Sequence, residues 1–448
     1  MDINRRSLLK GGAVAGAGGA VGLAAARDAS AHVSRSEGWG GQSDPEPYAE
    51  SEYTTHRVAQ DGSAEFETIQ AAVNEATAKD LILVEPGTYT EEVKINSTPQ
   101  LTIRGLSRSE VVIDGEKERY NGIVTTTEGT VVENLTVKDH RGNGVYWTDK
   151  AHGYRGSHIT AIRSHKYGIY AFDSKMGRFE HCYGSGSDDS AFYIGSAQPG
   201  DAVITNCLAE QNAQGFSGTN TGGNVVIKNS VWRNNGAGIV PNTLDSQNGA
   251  PQGHIAGGIR IENNEVYDNN NLSMPMIDVA YAISGSGIVL AGGVDNDVCN
   301  NTVEGHDRYG IAVIPIITGD NNLYRPKGNA VMKNEVSGSN RADLALAAPA
   351  KGNAFAKNKF GSSRPAFLER RDGSFGDVSV FLGILKDYLQ ASEIGSYPDG
   401  KFSNIKDPDP AEVREVIEGT DGGNYEMDDP ENEPPKTPVG DWEPGMYA

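Results

Sequence analysis

Cysteine is scarce in this 448-residue chain: Cys182, Cys207 and Cys299 are the only three. None sits in a Cys-x-x-Cys spacing, so a structural zinc site is excluded. Cys182 and Cys207 lie 25 residues apart, which leaves a disulfide open beside the plainer reading as buried thiols. Aromatic residues make up only 7 % of the chain. Beyond the first 31 residues no apolar run is long enough to cross a bilayer, so no membrane span is expected. Helical periodicity is missing between Val131 and Phe360, which excludes a helical bundle. Positive charge is in deficit. The net charge is −21, and the segment from Asn404 onward holds 13 acidic side chains against 3 basic ones. An acidic surface gains nothing from counterion release, so nucleic acid and anionic membranes are excluded as partners.

Glycine is abundant, at 56 residues, and short β-branched runs follow small residues at a fixed step. The runs begin at Gly144, Gly168, Ala191, Gly215 and Gly238, with steps of 24, 23, 24 and 23 residues. Gly287 and Gly310 continue the series, and the 49-residue gap before Gly287 is read as about two turns, with Gly258-Ile-Arg-Ile as one strand. Such a period means one supersecondary unit stacked on itself. The regular leucine framework of a leucine-rich repeat is missing, so the pattern predicts an all-β parallel β-helix. Asn206, Asn229, Asn263, Asn300, Asn334 and Asn358 form a second periodic column. They are read as a structural ladder of stacked amides.

The ends differ from the middle. Asn4-Arg5-Arg6-Ser7-Leu8-Leu9-Lys10, a Gly/Ala-rich stretch and Ala29-Ser30-Ala31 resemble a twin-arginine export signal over residues 1–31. The protein is therefore expected outside the cell or on its surface. Residues 32–54 read as a disordered linker. Phe66, Ile69, Ala72, Val73 and Ala76 have helical spacing and would cap the first coil. Residues 363–403 read as a C-terminal cap, with Asp377 starting a helix whose face is Val380, Phe381, Ile384, Leu385 and Leu389. Residues 404–448 read as an extended acidic, Pro-rich tail.

The runs Thr68-Ile-Gln-Ala-Ala-Val, Ile82-Leu-Val-Glu-Pro-Gly-Thr-Tyr, Leu101-Thr-Ile-Arg-Gly and Val112-Ile-Asp-Gly carry a further signal. With the later coils they resemble the pectin-lyase-like right-handed parallel β-helix proteins, over residues 55–362. The resemblance implies a secreted monomer acting on polysaccharide or a cell-surface glycan, through a groove on the outside of the helix. Lyases, hydrolases, esterases, epimerases and non-catalytic adhesins share this fold.

Candidate site residues cluster in the coils from 139 to 190. Arg163, Lys166 and Arg141 could neutralise a uronate, with His165 or His140 as base, the requirement of a lyase or epimerase. Asp188 and Asp189 are the paired carboxylates that a hydrolase would need. Tyr146, Tyr170 and Tyr193 would stack on sugar rings. No cofactor is certain. Asp295 with Asp297, and Asp320 with Asn321, are calcium candidates read more readily as Asx-turns. The Gly-His-Gly of polygalacturonase-like enzymes and the Asp-Pro-His-Asp of alginate epimerases are missing. A binding role without catalysis therefore stands as the alternative.

Overall fold

Short β-branched runs separated by Gly and Asn can extend for only a few residues before the chain turns, and stacking is the one way to bury them. The computed structural model describes residues 42–244, 258–317, 323–394, 401–440 and 442–447. It shows a parallel β-helix wound from Thr55 to Arg364. One wall is an eleven-stranded parallel sheet that includes Asn143–Trp147, Tyr167–Phe172, Ser190–Gly195, Gln214–Thr219, Ala237–Asn242, Ser286–Ala291 and Tyr309–Ile314. The rest is a bent 21-stranded assembly, joined across its bend by the eight-residue strands Val131–Lys138 and Arg155–Ile162. Inward side chains such as Ile123, Val145, Ile169, Phe192, Phe216, Ile239 and Ile288 form one continuous core along the axis.

The 49-residue gap is one coil, not two. Ala237 and Ile239 pair directly with Ser286 and Ile288. The extra length is inserted in loops, one of which carries helix α2 (Asp278–Ile283). A second insertion forms the small antiparallel hairpin Ile316–Ile317 with Leu323–Tyr324. The N-terminal cap is helix α1 (Ile69–Glu75), whose first turn is capped by Thr68 Oγ1, accepting from the Ala71 amide at 3.2 Å. Helix α3 (Val378–Ile394) begins after Asp377, whose carboxylate accepts from the Ser379 amide at 2.7 Å.

The asparagine column splits into two neighbouring columns. Asn206, Asn229, Asn263 and Asn300 hold the left-handed corner, with φ of 55°, 49°, 54° and 58°. The hydrogen-bonded ladder is the next position: Ser230, Asn264, Asn301, Asn334 and Asn358, each amide N–H donating to the following side-chain oxygen at 3.0–3.2 Å. Glu369 ends the row, its Oε1 accepting from both the Asn358 amide and Nδ2 at 2.8 Å. Cys182 and Cys207 occupy the same column further up and are free, buried thiols; no disulfide joins them. Asn264 starts this amide row because the positions before it are smaller or apolar.

The expected extended tail is instead packed onto the outside of the bent sheet. Helix α4 (Pro410–Glu418) buries Val413 and Ile417 against Ile162, Tyr183, Leu208 and Val231. Farther on, Tyr425 lies over the Arg108 guanidinium at 4.2 Å, and Trp442 covers Gly129 and Gly153. The carbonyl oxygens of Pro430, Glu433 and Pro434 accept from buried Arg104. The linker is likewise structured where it is described: Glu50–Glu52 form a 3-10 turn, and Pro47 bridges to Lys436. The twin-arginine motif and residues 32–41 lie outside the described residues.

Candidate active site

Outward positions on the eleven-stranded wall stack in register. Tyr146 pairs with Tyr170, Tyr170 with Tyr193, Tyr193 with Ser217, and Ser217 with Val240. Parallel stacking brings such side chains about 4.8 Å apart. The Tyr146 and Tyr170 rings accordingly lie parallel, 4.3 Å between centroids. Tyr167 and Tyr193 pack against Tyr170 at 4.3 and 5.0 Å. The Tyr167, Tyr170 and Tyr193 rings border a cleft of about 490 Å³, and Tyr146 lies outside its lining. The insertions build its far side: the α2 segment, the hairpin at Ile316–Ile317, and helix α3 through Phe381, Ile384, Leu385 and Tyr388.

One carboxylate lines the cleft among the described residues, Asp189. It sits in the bend before strand Ser190–Gly195. Tyr167 donates its hydroxyl hydrogen to Asp189 Oδ2 at 2.9 Å, and Gln214 Nε2 lies 3.4 Å from Oδ1. Burial raises its pKa to about 6, and the Tyr167 hydrogen bond pulls the other way. Burial also raises the tyrosines: Tyr193 to about 12, and Tyr167 and Tyr170 well above the ordinary range. They stay protonated at any working pH and face the cleft as neutral hydroxyls.

The other candidates are dispersed around this centre. Asp188 is half-buried beside Asp189 but does not line the cleft; burial first, then the Asp189 charge, raises it to about 7. Lys166 and Arg141 are exposed, and the Lys166 ammonium lies 5.9 Å from the Tyr120 ring centroid. Arg163 is committed to a bidentate pair with Asp139 at 2.8 Å and to Asp407 of the C-terminal segment. His165 is stacked under Phe402, 3.9 Å between centroids, and burial lowers its pKa. His140 is fully buried at an inward corner, its pKa lowered by burial to about 4. Neither histidine is among the residues that line the cleft.

A shift in register explains the dispersion. The inward corner column is His140, Ser164, Ser187, Asn212, Asn235 and Asn269, with Asn212 and Asn235 bonded to the residue below at 2.9 and 3.0 Å. Arg141, His165 and Asp188 are an extra turn residue in three coils, and so are not equivalent to Asn212 and Asn235. The predicted site residues did not include Tyr167, Gln214 or the face of α3, which the sequence marks only as a cap helix. Gln214 precedes Gly215 and Tyr167 precedes Gly168, so aligning on the residue before each small anchor would have found both.

Among the described residues, no group of three or more His, Cys, Asp and Glu could hold a metal ion. Asp320 and Asn321 lie outside the described residues.

The winding, the stacked corners and the capping helix decide the architecture, and a family model described as "Right handed beta helix region" matches residues 121–315. The chain is a right-handed parallel β-helix repeat protein. A twin-arginine signal model matches residues 2–22 of this β-helix protein, so it is exported. A pectinesterase model matches residues 55–142, ahead of every residue that lines the cleft. No curated protein matches the sequence. Similar solved structures include the mannuronan C-5 epimerase AlgE4 A-module of Azotobacter vinelandii, at 14 % identity and TM-score 0.47, covering 68 % of this chain and 95 % of that one. An alginate lyase from a Paenibacillus species has 15 % identity and TM-score 0.37, covering 69 % and 98 %. Pectin methylesterase PemA of Erwinia chrysanthemi has 14 % identity and TM-score 0.35, covering 64 % and 90 %. The reading of activity rests on the cleft itself.

Proposed function

We propose that this protein is an exported enzyme that hydrolyses a bond in a polysaccharide held against the tyrosine-lined wall, with Asp189 as the general base. The observation that carries the reading is Asp189 itself, a half-buried carboxylate lining the cleft, held by Tyr167 and flanked by Tyr170 and Tyr193. Flat aromatic faces suit the C–H faces of sugar rings. A base tuned to about 6 is ionised at neutral pH yet strong enough to take a proton from water. In the proposed step, Asp189 takes the proton of the attacking water and then passes it to the leaving oxygen, which restores the carboxylate, while the tyrosine hydroxyls donate hydrogen bonds without ionising. Hydrolysis is preferred over elimination or epimerisation because those need a cation beside the uronate carboxylate. None of the described residues lining the cleft is Lys, Arg or His.

The test is to incubate the exported form with plant, algal and microbial polysaccharides, following new reducing ends, released acid and ultraviolet-absorbing unsaturated products. Hydrolysis that falls at least ~100-fold in Asp189→Asn supports the reading, since removing a positioned base costs about that factor. Unsaturated product would replace hydrolysis with elimination. Binding with no product from any substrate would make the protein a glycan-binding module.

A further inference from the structure

We propose that the cleft has two adjoining compartments and takes an uncharged saccharide that carries an aliphatic substituent. The inference deepens the saccharide reading above and rests on it.

Register on the wall shows the division. Toward the N-terminal coils the outward side chains are Tyr170, Tyr193 and Ser217, with Asp189 and Gln214 beside them. At Val240 the column turns aliphatic and runs on through Val289 and Ala312 in the next two coils, and Ala291 pairs with Ile314 two positions along the same strands. Each side spans about three coils, or ~10 Å at the spacing of parallel strands. Helix α3 roofs the aliphatic side: Val380, Phe381 and Ile384 pack with Val240, Ala291 and Ile314. Ile316 of the inserted hairpin closes the end.

Chemistry at the junction selects the occupant. Asn242 lines the cleft where the two sides meet, and its Oδ1 is out of solvent reach with no hydrogen-bond partner among the described residues. With that oxygen shielded, Asn242 gives the cleft a neutral polar border and no charge. The absence of any cation among the described lining residues, together with the Asp189 carboxylate, disfavours an anionic sugar there. A sugar ring on the tyrosine side with an alkyl or acyl arm under α3 meets every requirement. The ~490 Å³ volume is of the size that holds a small ligand of this kind.

The test is calorimetric binding to the full exported protein at pH 8, with octyl glucoside below its micelle concentration, methyl glucoside, octyl glucuronide and 1-octanol. Octyl glucoside is expected to bind at least ~10-fold tighter than each of the other three, because each lacks an apolar arm, neutrality or a sugar. Ile316→Asn and Leu385→Asn should abolish the octyl advantage and leave methyl glucoside unchanged, with an unaltered melting profile confirming the fold. Equal binding of the octyl and methyl glucosides overturns the inference while the saccharide reading stands. Equal binding of octyl glucuronide overturns neutrality. Equal binding of 1-octanol, or no binding of any probe, overturns the inference, and in the octanol case the saccharide reading falls with it.

Discussion

Asp189 shows how burial makes a reactive group at a cost to the fold. Its folded pKa of about 6 lies above the ordinary carboxyl value, so the folded state binds its proton more tightly than the unfolded chain does. That contribution is fully present below about pH 4 and is lost as pH rises through 6. Asp189→Asn is therefore expected to raise stability at pH 8 by about 1 kcal/mol while removing activity, a split that thermal melts and product assays would read together. Activity should climb through an apparent pKa near 6. Tyr167→Phe removes the hydrogen bond that favours the charged carboxylate, so the same limb should move to higher pH. The sequence signalled this residue only as half of a pair. Its partner Asp188, in the same bend, is not among the residues that line the cleft, a placement that composition cannot express.

At the scale of elements, the repeat was legible because a 23–24-residue period survives in the small residues that begin each outward strand. The columns were less legible. A turn longer by one residue in three coils moved His140 inward and Arg141 outward, and the same one-residue offset separated the left-handed Asn206, Asn229 and Asn263 from the true ladder. Asn301 is central to that ladder, bonding Asn264, Asn334 and the Ile261 carbonyl at 2.9–3.0 Å. Asn301→Ala leaves several buried groups unpaired, and denaturant titration should show a loss of about 2–4 kcal/mol. The tail was illegible for a different reason. Ile405, Val413, Ile417, Tyr425, Val439 and Trp442 are spaced too widely to show a period, and their partners lie on strands far away in sequence. Ending the chain at residue 400 would bare Tyr183, Leu208 and Val231, leave Arg104 without its carbonyl partners and take from Arg108 the Tyr425 carbonyl. Such a truncated protein should melt several degrees lower and aggregate, as light scattering during heating would register.

The whole molecule has a pH response of its own. Burial holds His140 and His152 at about 4 and His306 at about 3, so all three are neutral in the fold. Unfolded histidine takes up its proton near pH 6.5, so stability from these groups is complete above that pH and drains away as pH falls toward 4. Melting temperature should thus be lower at pH 5 than at pH 7.5, and His306→Asn should flatten the difference. The asparagine row has a consequence at the same scale. Each side-chain amide in it, from Asn264 through Asn301 to Asn334, donates to the side-chain oxygen of the next coil and also to a carbonyl of the coil before, so the side-chain chain itself runs one way, to Asn358. The row is therefore a line of aligned dipoles with its positive pole at Asn358, and Glu369 sits there as a counter-charge. Because a carboxylate has no hydrogen to pass on, the polarity ends inside the molecule. A second copy meeting that end finds an electrically closed terminus with no donor row to extend.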